Sequence, residues 1–94
     1  MPQYKVAHIH ERGQDMIIVP LDSSFGNRIS EDQQAMIAEL QMRSASAGLA
    51  GTVVPVWEGG GGRMYFIAPT PWRPFFESVN LQWVAMNLNK NLSW

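Results

Sequence analysis

Six consecutive apolar residues, Met16 to Leu21, constrain the fold of this 94-residue chain more than any other part of its sequence. The β-branched residues Ile17, Ile18 and Val19 favour a strand, and the run is far shorter than the roughly 20 residues that span a membrane. A strand with one face in water alternates apolar and polar side chains. Here both sets of alternating side chains are apolar, so we expect both faces of this strand to be covered.

Three further segments have the composition of strands. Each is a short run rich in β-branched and aromatic residues, bounded by turn-forming residues. Together with the first run they predict two hairpins, formed by Tyr4–Ile9, Met16–Leu21, Thr52–Trp57 and Met64–Ala68.

Two segments have the signals of helices. Ser30 is suited to cap a helix from about Glu31 to Ala47, with acidic residues in its first turn. Apolar residues at helical spacing predict a second helix from about Val79 to Leu92. The order ββαββα predicts an α+β fold. We expect a two-layer sandwich in which two helices pack on a four-stranded, mainly antiparallel sheet.

The length of the chain suits a single domain, residues 1–94. Shifted by 47 residues, Val6–Glu11 overlies Val53–Glu58, and with one more residue of shift Met16–Val19 overlies Met64–Ile67. These matches indicate an internal duplication of a hairpin-helix unit, about residues 4–48 and 51–94. A recurrence of β-rich composition is the alternative interpretation.

Charge and cysteine content narrow the function. Seven Lys and Arg residues are scattered among eight Asp and Glu residues, so clustered phosphate contacts, and therefore nucleic-acid binding, are not expected. The chain has no cysteine, no apolar signal segment and no membrane span, which favours a cytoplasmic protein without membrane contact. Only 16% of residues are charged, against about 25% in typical domains. Such a surface exposes apolar groups that meet partners.

The doubly apolar strands lead to a prediction of self-association. Two helices cover one face of a four-stranded sheet, so we expect a second copy to cover the other face in a homodimer. A monomer in which a helix or the segment 71–76 covers that face is the first alternative, and a different protein partner is the second. The predicted interface consists of strand residues and an aromatic turn: Ile17, Val19, Tyr65, Ile67, Trp72, Arg73, Phe75 and Phe76. The aromatic residues of the turn could instead complete the core.

His8 and His10 are the residues that come nearest to a metal site. On a strand they project from one face with Cα atoms about 6.5–7 Å apart, a spacing found among metal ligands. A catalytic zinc needs a third protein ligand, which Glu11, Asp15 or Glu58 would have to supply. No nucleophile pattern accompanies the histidines, so we expect a binding protein rather than an enzyme, with no cofactor. Small-ligand or metal binding through His8 and His10 is the alternative function.

Overall fold

A computed structural model describes residues 3–93, which form a five-stranded sheet and three helices. The strands are β1 (Gln3–Glu11), β2 (Gln14–Leu21), β3 (Thr52–Glu58), β4 (Met64–Phe66) and β5 (Lys90–Ser93). The helices are α1 (Ser30–Ser46), α2 (Arg73–Glu77) and α3 (Leu81–Met86). Single 3-10 turns occupy Ser23–Asn27, Gly60–Gly62 and Thr70–Trp72. The α+β class is therefore confirmed.

The sheet has the strand order β4-β3-β2-β1-β5 and is mixed. The β1-β2 and β3-β4 hairpins are antiparallel, as is the pairing of β1 with β5. β2 and β3 run parallel, with Ile17 opposite Val53, because α1 returns the chain to the starting end of the sheet. The four predicted strands are present, but the prediction of a four-stranded sheet is wrong, since β5 adds a fifth strand beside β1.

Helices cover both faces of the sheet. On one face Leu40 of α1 packs with Ile17, Val19 and other buried residues of β1, β3 and β5. On the opposite face Phe76 of α2 and Val84 of α3 pack with buried residues of β1, β2 and β3. The predicted two-layer arrangement is therefore wrong. The doubly apolar sequence of β2 is explained within one chain, and Ile17 and Val19 are fully buried rather than at a free surface.

The last predicted helix, Val79 to Leu92, is also wrong over its second half. α3 ends at Met86, and Asn87 caps its carboxyl end by donating from its side chain to the carbonyl of Trp83. Leu92 then lies on β5 opposite Tyr4 and is buried. Asparagine is a poor helix former, so the asparagine-rich end of the chain gains more from pairing with β1.

Asn89 explains how β5 is attached to β1. Its backbone N–H donates to the carbonyl of Val6, and its side-chain amide forms two bonds with the backbone of His8. In that amide Oδ1 accepts from the His8 N–H at 2.9 Å, and Nδ2 donates to the His8 carbonyl at 2.9 Å. The side chain therefore extends the ladder by one residue, as a peptide group would.

The two halves of the chain differ in their helices. The first half has one helix of 17 residues on one face, whereas the second has two short helices on the other face, followed by β5. The internal duplication stays a prediction. No helix in residues 3–93 is both long and apolar enough to cross a membrane.

Candidate binding site

The aromatic turn of the predicted interface contributes mainly to the core. Phe76 is 1% exposed, and its ring lies 5.5 Å from that of Phe66 and 5.1 Å from that of Phe75. Phe75 also makes an edge contact with Trp83 at 5.7 Å. Trp72 and Phe75 are half-buried, and only Arg73 is exposed. These contacts favour the interpretation in which the turn completes the core under α3.

The two histidines are separately engaged. His8 Nε2 lies 2.8 Å from the carbonyl oxygen of Ala50, and His10 Nδ1 lies 2.7 Å from an Asp15 carboxylate oxygen. No group of three His, Asp or Glu side chains able to hold a metal ion occurs among residues 3–93. The pair at His10 and Asp15 is exposed and ties the first hairpin together across its turn.

Trp57 and Tyr65 form an aromatic surface at the β4 end of the sheet. They are opposite each other on β3 and β4, and their side chains lie on the same face as α1. Their ring centroids are 6.3 Å apart and their planes differ by only 19°. Buried Phe25 supports Trp57 through an edge contact at 5.0 Å. We call the rings of Trp57 and Tyr65 the aromatic platform.

Two glycines make room for the aromatic platform. A Cβ atom on Gly26 would lie 2.5 Å from Nε1 of Trp57, and one on Gly59 would overlap the ring of Tyr65. Neither glycine has a positive φ angle, so backbone conformation does not require glycine at either position. Gly13 and Gly48, in contrast, have positive φ angles and no neighbouring atom within 4 Å of such a Cβ. The missing side chains at 26 and 59 therefore allow the two rings to lie directly against the backbone.

The cleft beside the aromatic platform carries no ionised side chain. Its volume is about 260 Å³, and it is lined by Ser23, Gly26, Asn27, Trp57, Gly59, Gly60 and Tyr65. The indole N–H of Trp57, the Tyr65 hydroxyl and the Asn27 amide have no hydrogen-bond partner among the described residues. The site thus offers flat apolar surface together with neutral donors, the combination by which binding sites orient a ligand.

β4 is an edge strand with an open side. In its pairing with β3, Gly59 donates to the carbonyl of Arg63 and Ile67 donates to the carbonyl of Pro55. Along an antiparallel strand, the backbone N–H and C=O groups of successive residues point alternately to one side and to the other. The backbone groups of Tyr65 therefore also point toward β3, whereas those of Met64 and Phe66 point outward. No described strand lies on that side. We call this side of Met64–Phe66 the β4 edge.

The opposite edge of the sheet is better protected. The exposed residues of β5 include Lys90, and Lys5 lies beside it on β1. Lysine on an edge strand opposes the pairing of further strands. The β4 edge has no charged side chain between 64 and 66, and its central residue Tyr65 is 44% exposed.

A larger cleft of about 410 Å³ lies between α1 and β1. It is lined in part by Tyr4, Arg28, Asp32, Met36 and Glu39. Its charged residues are exposed and of both signs. The aromatic platform and the β4 edge are therefore the better-defined surfaces.

Only part of this region is predicted by the sequence. Tyr65 and Ile67 were among the predicted interface residues, and Ile67 is half-buried beside the β4 edge. Phe25, Gly26 and Trp57 were missed. The position of Trp57 opposite Tyr65 follows from the register of the predicted hairpin, and that register was the available signal. No protein-family model, curated protein or solved structure matches this chain.

Proposed function

We propose that this chain is a small cytoplasmic interaction module without catalytic activity, which forms a homodimer by pairing the β4 edges of two copies. The observation that supports the proposal is the set of unpaired outward N–H and C=O groups on Met64 and Phe66, between apolar side chains. Each is an obligatory hydrogen-bonding group that a second strand can satisfy. Edge pairing takes the place of face-to-face packing here, because α1 on one face and α2 and α3 on the other cover the central strands of the sheet within the chain.

The alternation of the backbone groups defines one register for this dimer. A two-fold axis beside Tyr65 places Met64 of one copy opposite Phe66 of the other, and the reverse. Both are then hydrogen-bonded pairs, each exchanging two N–H···O bonds. The two copies of Tyr65 form the central pair without such bonds, in which Cα atoms approach to about 4.5 Å. The interface is isologous and the sheet becomes continuous through both copies.

The short ladder makes this a concentration-dependent dimer. β4 has only three residues, and the buried surface is correspondingly smaller than in obligate dimers. Light scattering after size-exclusion chromatography should give a mass that rises from 10.6 kDa toward twice that value, 21.2 kDa, as the loaded concentration increases. A mass of 10.6 kDa up to millimolar concentration would refute the dimer.

Tyr65→Lys tests the position of the axis. The substitution removes the central aromatic pair and places two like charges directly opposite each other, which should weaken dimerisation about tenfold or more. Since Tyr65 is 44% exposed, the monomer should still fold. Met86→Lys is the matched control, because Met86 is 77% exposed on α3. Equal masses for the two variants at every concentration would place the dimer contact elsewhere.

A further inference from the structure

We propose that the aromatic platform is the binding site for an extended, proline-rich peptide segment of a partner protein. The shape, charge and hydrogen-bonding groups of the cleft beside Trp57 and Tyr65 favour this ligand. Binding at this site does not require the chain to be dimeric.

The shape of the site suits an extended chain. The two rings are stacked with nearly parallel planes, glycines at 26 and 59 let them lie against the backbone, and both rings line a shallow cleft. A polyproline II segment is a preformed extended helix with apolar rings on its surface, and grooves lined by aromatic side chains are the surfaces that bind it. Because the segment is ordered before binding, an open site can hold it at a small entropic cost.

The hydrogen-bonding groups also fit this ligand. Proline has no N–H, so a proline-rich segment presents carbonyl oxygens that need donors. Trp57 supplies an indole N–H that can only donate, and Tyr65 and Asn27 supply two further donors without partners among the described residues. A side chain at position 26 would lie against Nε1 of Trp57, so glycine at this position keeps the indole N–H free of a covering side chain.

The lining disfavours other ligand classes. Nucleic acid requires cations at its phosphates, and no lysine or arginine lines this cleft. A sugar would bring many hydroxyl donors as well as acceptors, and the only side-chain acceptors of the lining are the neutral oxygens of Ser23, Asn27 and Tyr65, with no carboxylate among them. A peptide that offers acceptors and apolar rings matches what the cleft contains.

The test is an NMR titration of the full chain with decaproline. The indole N–H signal of Trp57 is identified by its loss in Trp57→Phe, a variant that retains an aromatic ring and leaves the outward groups of the β4 edge unchanged. We expect decaproline to shift this signal more than the indole signals of Trp72 and Trp83. Trp57→Phe should bind decaproline about fivefold more weakly, because one hydrogen bond is lost.

Two further variants and one further ligand serve as controls for the titration. Asn27→Ala should weaken binding by a similar factor, whereas Trp72→Phe, which changes a half-buried tryptophan of the 3-10 turn after β4, should bind as the unmodified protein does. Cellohexaose, a sugar polymer with the same opportunity to stack on the rings, is titrated in parallel. Binding of cellohexaose but not of decaproline, no binding of either, or equal decaproline affinity in Trp57→Phe would each overturn the proposal. The mass of Trp57→Phe, measured by light scattering, tests the dimer separately.

Discussion

Leu40→Ala is the substitution that tests whether α1 covers one face of the sheet. Leu40 is 1% exposed, and it is the only apolar side chain of α1 that is fully buried. Its neighbours are buried residues of four strands, and the nearby Met36 is only half-buried. The apolar attachment of this 17-residue helix therefore depends largely on Leu40, and Gln41 adds two hydrogen bonds to the backbone of Gly51 and Val53.

The magnitude follows from the groups removed. Leu→Ala deletes about three buried carbon groups, worth roughly 2.4 kcal/mol at about 0.8 kcal/mol each. A residual cavity adds to this, although α1 can settle partly into it, so we expect a loss of about 3 kcal/mol. At roughly 0.05–0.15 kcal/mol per residue, the whole domain has a free energy of unfolding of about 5–14 kcal/mol. The variant should melt roughly 12–24 °C lower.

Urea denaturation followed by circular dichroism measures this change, with Met42→Ala as the matched control. Met42 lies on the same helix and is 53% exposed, so its truncation should change the free energy of unfolding by no more than about 0.5 kcal/mol. Equal losses in the two variants would refute the reasoning. They would mean that α1 does not pack on this face, and the face would again need a second chain to cover it.

Three further substitutions test separate details of the structure. Ser44→Ala should raise the free energy of unfolding by about 1 kcal/mol, because the buried Ser44 hydroxyl has no hydrogen-bond partner among residues 3–93. Ser46→Ala, at an exposed position of the same helix, should raise it by less, and a loss of stability in Ser44→Ala would reveal a hydrogen bond to that hydroxyl. Asn89→Ala should lower the free energy of unfolding, measured by urea denaturation, by about 1–2 kcal/mol and should speed hydrogen exchange at the backbone amide of His8 on β1. Unchanged exchange at His8 would show that the Asn89 side chain does not extend the ladder. Gly59→Ala should lower the free energy of unfolding by about 1–3 kcal/mol and alter the near-ultraviolet circular dichroism spectrum, because the added methyl group would overlap the Tyr65 ring. Gly60→Ala should change neither, and identical spectra for the two variants would contradict the close contact between Gly59 and Tyr65.

Local signals in the sequence account for the parts of the fold that were predicted correctly. α1 begins at Ser30 and ends at Ser46, within one residue of the predicted bounds at both ends, because acidic residues in the first turn and glycines after the last turn act locally. β2 and β3 were found for the same reason, since their β-branched runs favour strands in any context.

β5 and the placement of the second-half helices depend on contacts between distant residues. Leu92 lies at helical spacing from Leu88, yet it is buried on a strand that exists only because β1 offers an edge and Asn89 completes the ladder. The direction of the chain after β4 decides which face α2 and α3 cover, and no periodicity encodes that direction. Predicting both helices on one face was therefore wrong.

One part of the candidate site is predictable from local sequence, and another part depends on contacts between distant residues. The pairing of Trp57 with Tyr65 follows from hairpin register, and could be predicted from the sequence. The support from Phe25 and the space at Gly26 arise because a 3-10 turn lies against β3, more than thirty positions away in sequence. Such a contact leaves no local pattern. A glycine with ordinary φ looks the same in sequence as a turn glycine.

Hydrogen exchange at the β4 edge tests the proposed dimer most directly. The amide of Tyr65 faces β3, so it should be protected at every protein concentration. The amides of Met64 and Phe66 should exchange freely in dilute solution and become protected in parallel with the rise in mass from 10.6 to 21.2 kDa, twice the chain mass. Free exchange of Met64 and Phe66 in a solution whose mass is already that of the dimer would contradict pairing through β4.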